Sequence, residues 1–247
     1  MNKIYNFVDE IYCINLVSRL DRYQIMKQFE KNENIKLTFY RPEKDPRGGR
    51  IGCFISHINV IKMAYDKGHK NILIFEDDII ITPSYNTVDY DEIVEFIKTN
   101  KWDILNLSPC FLDINVFYNH NEYKNIASGP AFFGSSYILN RKSMKDILDN
   151  YHKYIQDYQI DSFYNKYLSK KYYNVIPGIF DQDMSLGHDN LWKTPLLDQL
   201  AISLMINTNI IYNLSLIKYY NKYLQIFTIF LFLLLFLYRF NKKLFFV

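Results

Sequence analysis

Apolar residues in this chain fall into short unbroken runs, set between longer stretches where they recur every three or four positions. Residues 71–78 read N-I-L-I-F-E-D-D, an apolar run that passes straight into three consecutive carboxylates. A run this short, closed by polar residues, is the pattern of a buried strand in a mostly parallel sheet. Residues 11–16 (I-Y-C-I-N-L) and 36–41 (K-L-T-F-Y-R) read as two further strands. A helical pattern through residue 29 separates those two. From 51 to 65 the apolar positions 51, 54, 55, 58, 61 and 65 keep close to the helical period. The order to residue 78 is thus β-α-β-α-β, which predicts an α/β fold with a doubly wound, mostly parallel central sheet and flanking helices. Further helices are expected at 89–98, 141–150 and 160–168, and strands at 102–107, 131–139 and 173–176. Residues 110–130 read as an irregular, Asn-rich loop, and 181–192 carry Asp183, His188 and Asp189 without clear periodicity.

The pattern changes at the C-terminus. Residues 224–238 hold no charge, with Lys218 and Lys222 before them and Arg239, Lys242 and Lys243 after. About 20 apolar residues cross a bilayer, with a lower limit near 17. With Tyr223 and a snorkelling Arg239 included, the run reaches that limit. The expectation is a main domain over 1–195, a connecting segment over 196–222, a membrane-anchor helix over 223–240 and a basic, aromatic tail over 241–247. A C-terminal helix buried in protein is the other reading, and it would need burial on every face.

Composition narrows this picture only a little. The 247 residues are 49% hydrophobic and 22% charged, enough for a sizeable core. A formal net charge of +3 is too mild to argue for nucleic acid. Cys13, Cys53 and Cys110 form no C-x-x-C or zinc spacing, which points to a reducing compartment. The first ten residues lack a long apolar core, so no signal peptide is expected.

Candidate chemistry centres on Glu76, Asp77 and Asp78. Ligands of open α/β sheets sit beyond the carboxyl ends of the strands, and three acids placed there repel one another unless a cation is near. Oxygen ligands suit Mg²⁺ or Mn²⁺. In an extended chain Glu76 and Asp78 share a side and Asp77 faces the other, so the first two could hold one metal that carries a diphosphate. A solvated acidic turn is the alternative. Arg19, Asp21 and Arg22 fall in the first strand-to-helix turn, where arginines can pair with phosphate; there Ser18 or Asp21 could instead cap the helix and leave the arginines solvated. The basic loop 42–50, P-E-K-D-P-R-G-G-R, could close over a ligand. Ser56 and His57 lie on the second helix, where a lone His is more often structural.

In order and spacing these residues resemble glycosyltransferase family 25, which holds lipopolysaccharide glycosyltransferases and procollagen galactosyltransferases. Asn15-Leu16 with Arg19, Asp21 and Arg22 are similar to its N-L-x-x-R-x-D-R opening. Gly52-Cys53 with Ser56-His57 resemble its G-C-x-x-S-H, and residues 73–78 its apolar-E-D-D strand. Ser136 to Leu139, Asp161, Pro177, Gln182 and Asp189 follow its later pattern. The resemblance spans about residues 8–190, and His188 stands where the family usually has Ser. It implies a GT-A type fold, a nucleotide-sugar donor such as a UDP-sugar, a glycan or glycoprotein acceptor, and a divalent Mn²⁺ or Mg²⁺. It implies Glu76, Asp77 and Asp78 as its metal and diphosphate motif, with Glu76 and Asp78 on the metal; at His188, where this chain departs from the family, an imidazole could itself ligate the metal or serve a structural role. Asn15, Arg19, Arg22, Ser56, His57 and Asp77 would contact the donor. Inverting transfer needs a base for the acceptor hydroxyl, and Asp161 or Asp189 is the candidate. The expected enzyme is a hexosyltransferase, anchored by its C-terminus with the catalytic domain facing the cytosol. A non-catalytic, membrane-tethered carbohydrate-binding or scaffolding protein of the same fold is the second reading.

Overall fold

In the computed structural model the acid-terminated run forms β3 (Asn71–Glu76), whose four inner residues are buried. Leu73 and Phe75 enter one apolar cluster and Ile72 and Ile74 another. This is the period of two of a strand with core on both faces, and it explains a run with no polar alternation. The structure describes residues 3–109, 123–129, 131, 135–156, 159–168, 171–183 and 186. All of these lie in the first of the two units into which the chain divides, Met1–Lys193 and Thr194–Val247.

β1 (Glu10–Ile14) pairs in parallel with β2 (Leu37–Tyr40) on one side and with β3 on the other. Two helices make the crossovers, α1 (Leu20–Glu33) and α2 (Gly49–Asp66). α1 stops at Asn34, which takes the left-handed conformation (φ 51°) that Asn tolerates better than most residues. After β3 come β4 (Ile79–Ile81), α3 (Tyr90–Thr99), β5 (Ile104–Asn106), β6 (Ile126–Ser128) and β7 (Ser136–Asn140). The chain continues through α4 (Arg141–Asn150), α5 (Ile160–Tyr167), β8 (Tyr172–Val175) and β9 (Phe180–Gln182). Asp89 caps α3 by accepting from the amides of Asp91 and Glu92, and Asn140 caps α4 by accepting from that of Ser143.

The main sheet has seven strands in the order β2-β1-β3-β7-β5-β8-β6, and β4 pairs with β9 in a separate ribbon. One face carries the cluster of Met26 from α1 with Ile93, Phe96 and Ile97 from α3. The other carries Phe54, Ile58 and Ile61 from α2, Met144 and Ile147 from α4, and Phe163 and Tyr164 from α5. The sheet is therefore a middle layer between helices, as the β-α-β-α-β order predicts.

It is mixed rather than mostly parallel. β2, β1, β3, β5 and β8 run one way, but β7 lies antiparallel between β3 and β5, and β6 is antiparallel to β8. A strand buried on both faces reads the same in either direction, so apolar runs alone do not reveal the reversal. β6 also lies inside the stretch expected to be an irregular loop. β9 lies where no periodicity was visible, because three residues are too few to show one. Among the described residues no helix is long and apolar enough to cross a membrane; residues 223–240 lie outside them.

Candidate functional site

β1 and β3 point their carboxyl ends the same way, so Asn15, just past β1, meets the acids that close β3. The strand stops at Glu76, and Asp77 and Asp78 form a turn into β4. Strand alternation therefore does not govern the three acids. Both aspartates turn toward Arg22, which is buried on the first turn of α1. Its Nη1 donates to Asp77 Oδ1 at 2.7 Å and to Asp78 Oδ2 at 3.0 Å. Asn15 donates from Nδ2 to Asp77 Oδ2 at 2.7 Å, and its own Oδ1 accepts from Arg41 Nε at 2.9 Å. Arg41 lies over the ring of Tyr23, 4.3 Å from its centre.

Glu76 faces the other way, toward α2. His57 Nε2 lies 3.0 Å from its Oε1, and the other ring nitrogen lies 2.6 Å from the hydroxyl of Tyr137, which in turn meets that of Tyr164 at 3.0 Å. His57, Tyr137 and Tyr164 are fully buried. Gln182, on β9, reaches back to Asp78 Oδ2 at 3.0 Å and to Glu76 Oε2 at 3.4 Å. Ser56 donates to the carbonyl of Gly52, one turn earlier in the helix.

These contacts set the charges. Burial pushes Asp78 up, and repulsion from Glu76 adds to it, so its carboxyl titrates near 7 despite Arg22. Asp77 is also raised by burial, against the pull of Arg22 and Asn15. Burial acts the same way on Glu76, but the His57 contact and Arg22 outweigh it and hold this acid below its ordinary range. Burial and the charge of Glu76 push the Cys53 thiol well up.

A cleft opens over the turn, lined by the three acids, Arg22, Gln182, and Cys53, Ser56 and His57 of α2, with Lys44 and Asp45 from the basic loop. Lys44 is exposed and has no ion pair or hydrogen bond among the described residues. Asp45 is held by Arg47 at 2.7 Å and packs on the first turn of α2. A Cβ on Gly52 would stand 2.9 Å from that of Asp45, which is why glycine fits there.

Two donor sets in the cleft could take a cation. Cys53, His57 and Glu76 place one ligand atom each within 4.8 Å of one another. The thiol is held protonated, however, and both histidine nitrogens are engaged. Glu76 Oε2 and Asp78 Oδ1 suit the task better: Asp78 Oδ1 is buried without a hydrogen-bond partner, and Oε2 has only the long Gln182 contact. Carboxylate oxygens are the donors that a hard cation such as Mg²⁺ or Mn²⁺ takes.

Arg19 stands at the rim and pairs with Asp21 at 2.9 Å while donating to the carbonyl of Leu186. Asp161 lies in the first turn of α5, outside the residues that line the cleft; its Oδ1 accepts from the amide of Ser162, and its charge is felt by the Cys53 thiol. His188 and Asp189 lie outside the described residues.

The model of glycosyltransferase family 25 (LPS biosynthesis protein) matches residues 46–164. That stretch, just under half of the chain, is similar to family 25. It holds α2, the acid turn and Asp161, while Arg22 and Gln182 join the cleft from outside it and Asn15 braces Asp77. A "Glycosyltransferase 25 family member" of Anopheles gambiae is 24% identical over 102 residues, which is 40% of this chain and 17% of that protein's length. Among solved structures, a glycosyltransferase involved in glycosylation of the major capsid of PBCV-1 is 8% identical, covers 79% of this chain and 99% of its own, and has a TM-score of 0.42. A mutant Drosophila beta-1,4-galactosyltransferase 7, in complex with manganese, UDP-Gal and xylobiose, is 11% identical, with coverage of 77% and 79% and a TM-score of 0.38.

Arg41, Lys44, Cys53 and Tyr137 were not among the site residues expected from the sequence. Arg41 directly follows β2, which is parallel to β1, and so arrives at the same end of the sheet, a placement that β-α-β order implies. Tyr137 is on β7, and its place beside β3 follows from a strand reversal that the sequence does not display.

Proposed function

We propose that this protein is a metal-assisted glycosyltransferase of the GT-A type. It moves a hexose, galactose or glucose, from a UDP-sugar to a hydroxyl of a glycan, lipopolysaccharide-like or glycoprotein acceptor, with inversion. The observation that carries this reading is the acid turn of the segment similar to family 25, with a buried carboxylate oxygen of Asp78 that no donor satisfies. A buried unpaired acceptor is costly, and a hard cation shared with Glu76 would satisfy it. Bound there, Mn²⁺ or Mg²⁺ supplies Lewis-acid neutralisation of the leaving diphosphate.

The chain's own residues do the rest. Arg22 and Asn15 fix Asp77 on both oxygens, and Gln182 spans Glu76 and Asp78, so the acids are set before any ligand arrives. His57 orients Glu76 from behind. Lys44, in the cleft lining, offers an ammonium to the donor's phosphates. Asp161 takes the acceptor's proton as the new bond forms; Asp189 is the alternative base and His188 a further cation ligand. The apolar run 223–240 anchors the protein in a membrane with the catalytic unit on the cytosolic side.

The test is nucleoside diphosphate release from a panel of nucleotide sugars, with and without acceptor glycans. Release from a UDP-hexose above all other donors is expected. No release from any donor, with glycans still bound, would instead support the carbohydrate-binding reading.

A further inference from the structure

Among the described residues Arg22 is the one buried lysine or arginine, and it places its charge against the acid turn. Side chains of Arg22, Asp77 and Asp78 are only 5%, 9% and 5% exposed. The hydrogen bonds divide the turn's oxygens. Asp77 Oδ1 accepts from Arg22 and Oδ2 from Asn15; Asp78 Oδ2 accepts from both Arg22 and Gln182; Glu76 Oε1 meets His57. What remains is Asp78 Oδ1, with no partner, and Glu76 Oε2, with a contact of 3.4 Å.

We propose that Arg22 is a resident counter-cation: it lets the acid turn fold without metal and leaves only two carboxylate oxygens to receive one, so the divalent cation enters together with the donor's diphosphate. This rests on the reading of the cleft as a donor site. Two physical facts support it. Mg²⁺-like ions need about six ligands and commonly take one or two carboxylates plus substrate phosphates. A guanidinium fixed against the same acids also repels a dication at close range, so the ion alone gains little until phosphate oxygens add both charge and ligands. Arg22 is thus a positioning residue, acting through Asp77 and Asp78.

The experiment uses the full chain, freed of metal with chelator, and reads two quantities apart from activity: Mn²⁺ affinity by calorimetry and melting temperature. For the unaltered protein, Mn²⁺ alone should bind at least about tenfold more weakly than Mn²⁺ in the presence of UDP, and should leave the melting temperature unchanged. Arg22→Gln should melt lower without metal, and Mn²⁺ alone should now restore it, binding tenfold or more tighter than before. Arg22→Lys, which keeps the charge, should stay close to the unaltered protein in Mn²⁺ affinity. Should Arg22→Gln fail to fold even with Mn²⁺, the resident-cation idea is overturned, since the metal should replace the lost charge. It is equally overturned if Arg22→Gln gains no Mn²⁺ affinity, and the coupled entry is overturned if the unaltered protein binds UDP and yet binds Mn²⁺ as tightly alone as with it. A protein that ignores UDP altogether while Arg22→Gln gains Mn²⁺ binding would refute the donor-site reading and the coupled entry, yet leave the counter-cation role standing.

Discussion

Asp78→Asn should make the metal-free protein more stable at pH 8 while destroying its transferase activity. Asp78 carries the charge that the fold tolerates least, since burial and the nearby Glu76 raise its carboxyl from 3.8 to about 7. At about 1.36 kcal/mol per unit, that difference corresponds to roughly 4 kcal/mol between the ionised and neutral forms. Part of it is shared with Glu76, so a gain of about 1–3 kcal/mol for the neutral amide is the reasonable expectation, in the range of large single-residue effects. Between pH 3.8 and 7 the folded state holds a proton that the unfolded chain has lost. Stability from this group is therefore complete below its unfolded value and falls as pH rises toward the folded one. The unaltered protein should lose stability from pH 5 to pH 8 relative to Asp78→Asn, and the two should converge at the acid end. Urea titrations in chelator at pH 5, 6, 7 and 8 measure this, because groups remote from the acid turn contribute equally to both proteins. If Asp78→Asn is less stable at pH 8, or if the gap is the same at pH 5, then the acid turn is not strained by charge and the argument for a cation there fails.

Two further outcomes are expected from the site and a third from the apolar run in the sequence. Asp161→Asn should lower kcat by about 10²–10⁴-fold, the usual worth of a positioned base, with donor KM little changed; a loss of donor affinity at constant kcat would move the base to Asp189. Lys44→Ala should weaken UDP binding by about tenfold, the scale of one charge-assisted contact, and Lys44→Arg should recover most of it; equal binding by all three would remove Lys44 from the donor site. Deleting residues 218–247 should release the protein from membranes with transfer intact, and pelleting of the truncated chain with vesicles would refute the anchor.

The layered α/β architecture was legible because β3, β1 and α2 each show a clean period, and β-α-β order fixes which strand ends share an edge. That is why Asn15, Arg22 and Glu76 to Asp78 meet where the sequence places them. The reversal of β7 was not legible, since Ser136 to Asn140 bury nearly every residue and carry no mark of direction. With it went the Tyr137 contact to His57. The orientation of the acids was also hidden. Alternation pairs Glu76 with Asp78 against Asp77 only while the strand continues, and it ends at Glu76. A buried arginine then turned both aspartates to one side, although its spacing in the sequence suits a solvated or phosphate-binding residue equally well. Gln182 stood in the resemblance but had no visible role until the β4–β9 ribbon brought it over the acids.

The most direct test of the central claim is UDP formation from UDP-galactose and UDP-glucose by the full chain, compared with Asp78→Asn, in Mn²⁺ and again in excess chelator. The account predicts turnover only for the unaltered protein in Mn²⁺, with chelator and Asp78→Asn each reducing it to background. Turnover that survives chelator, or persists in Asp78→Asn, would contradict a cation held by Glu76 and Asp78 at the heart of the reaction.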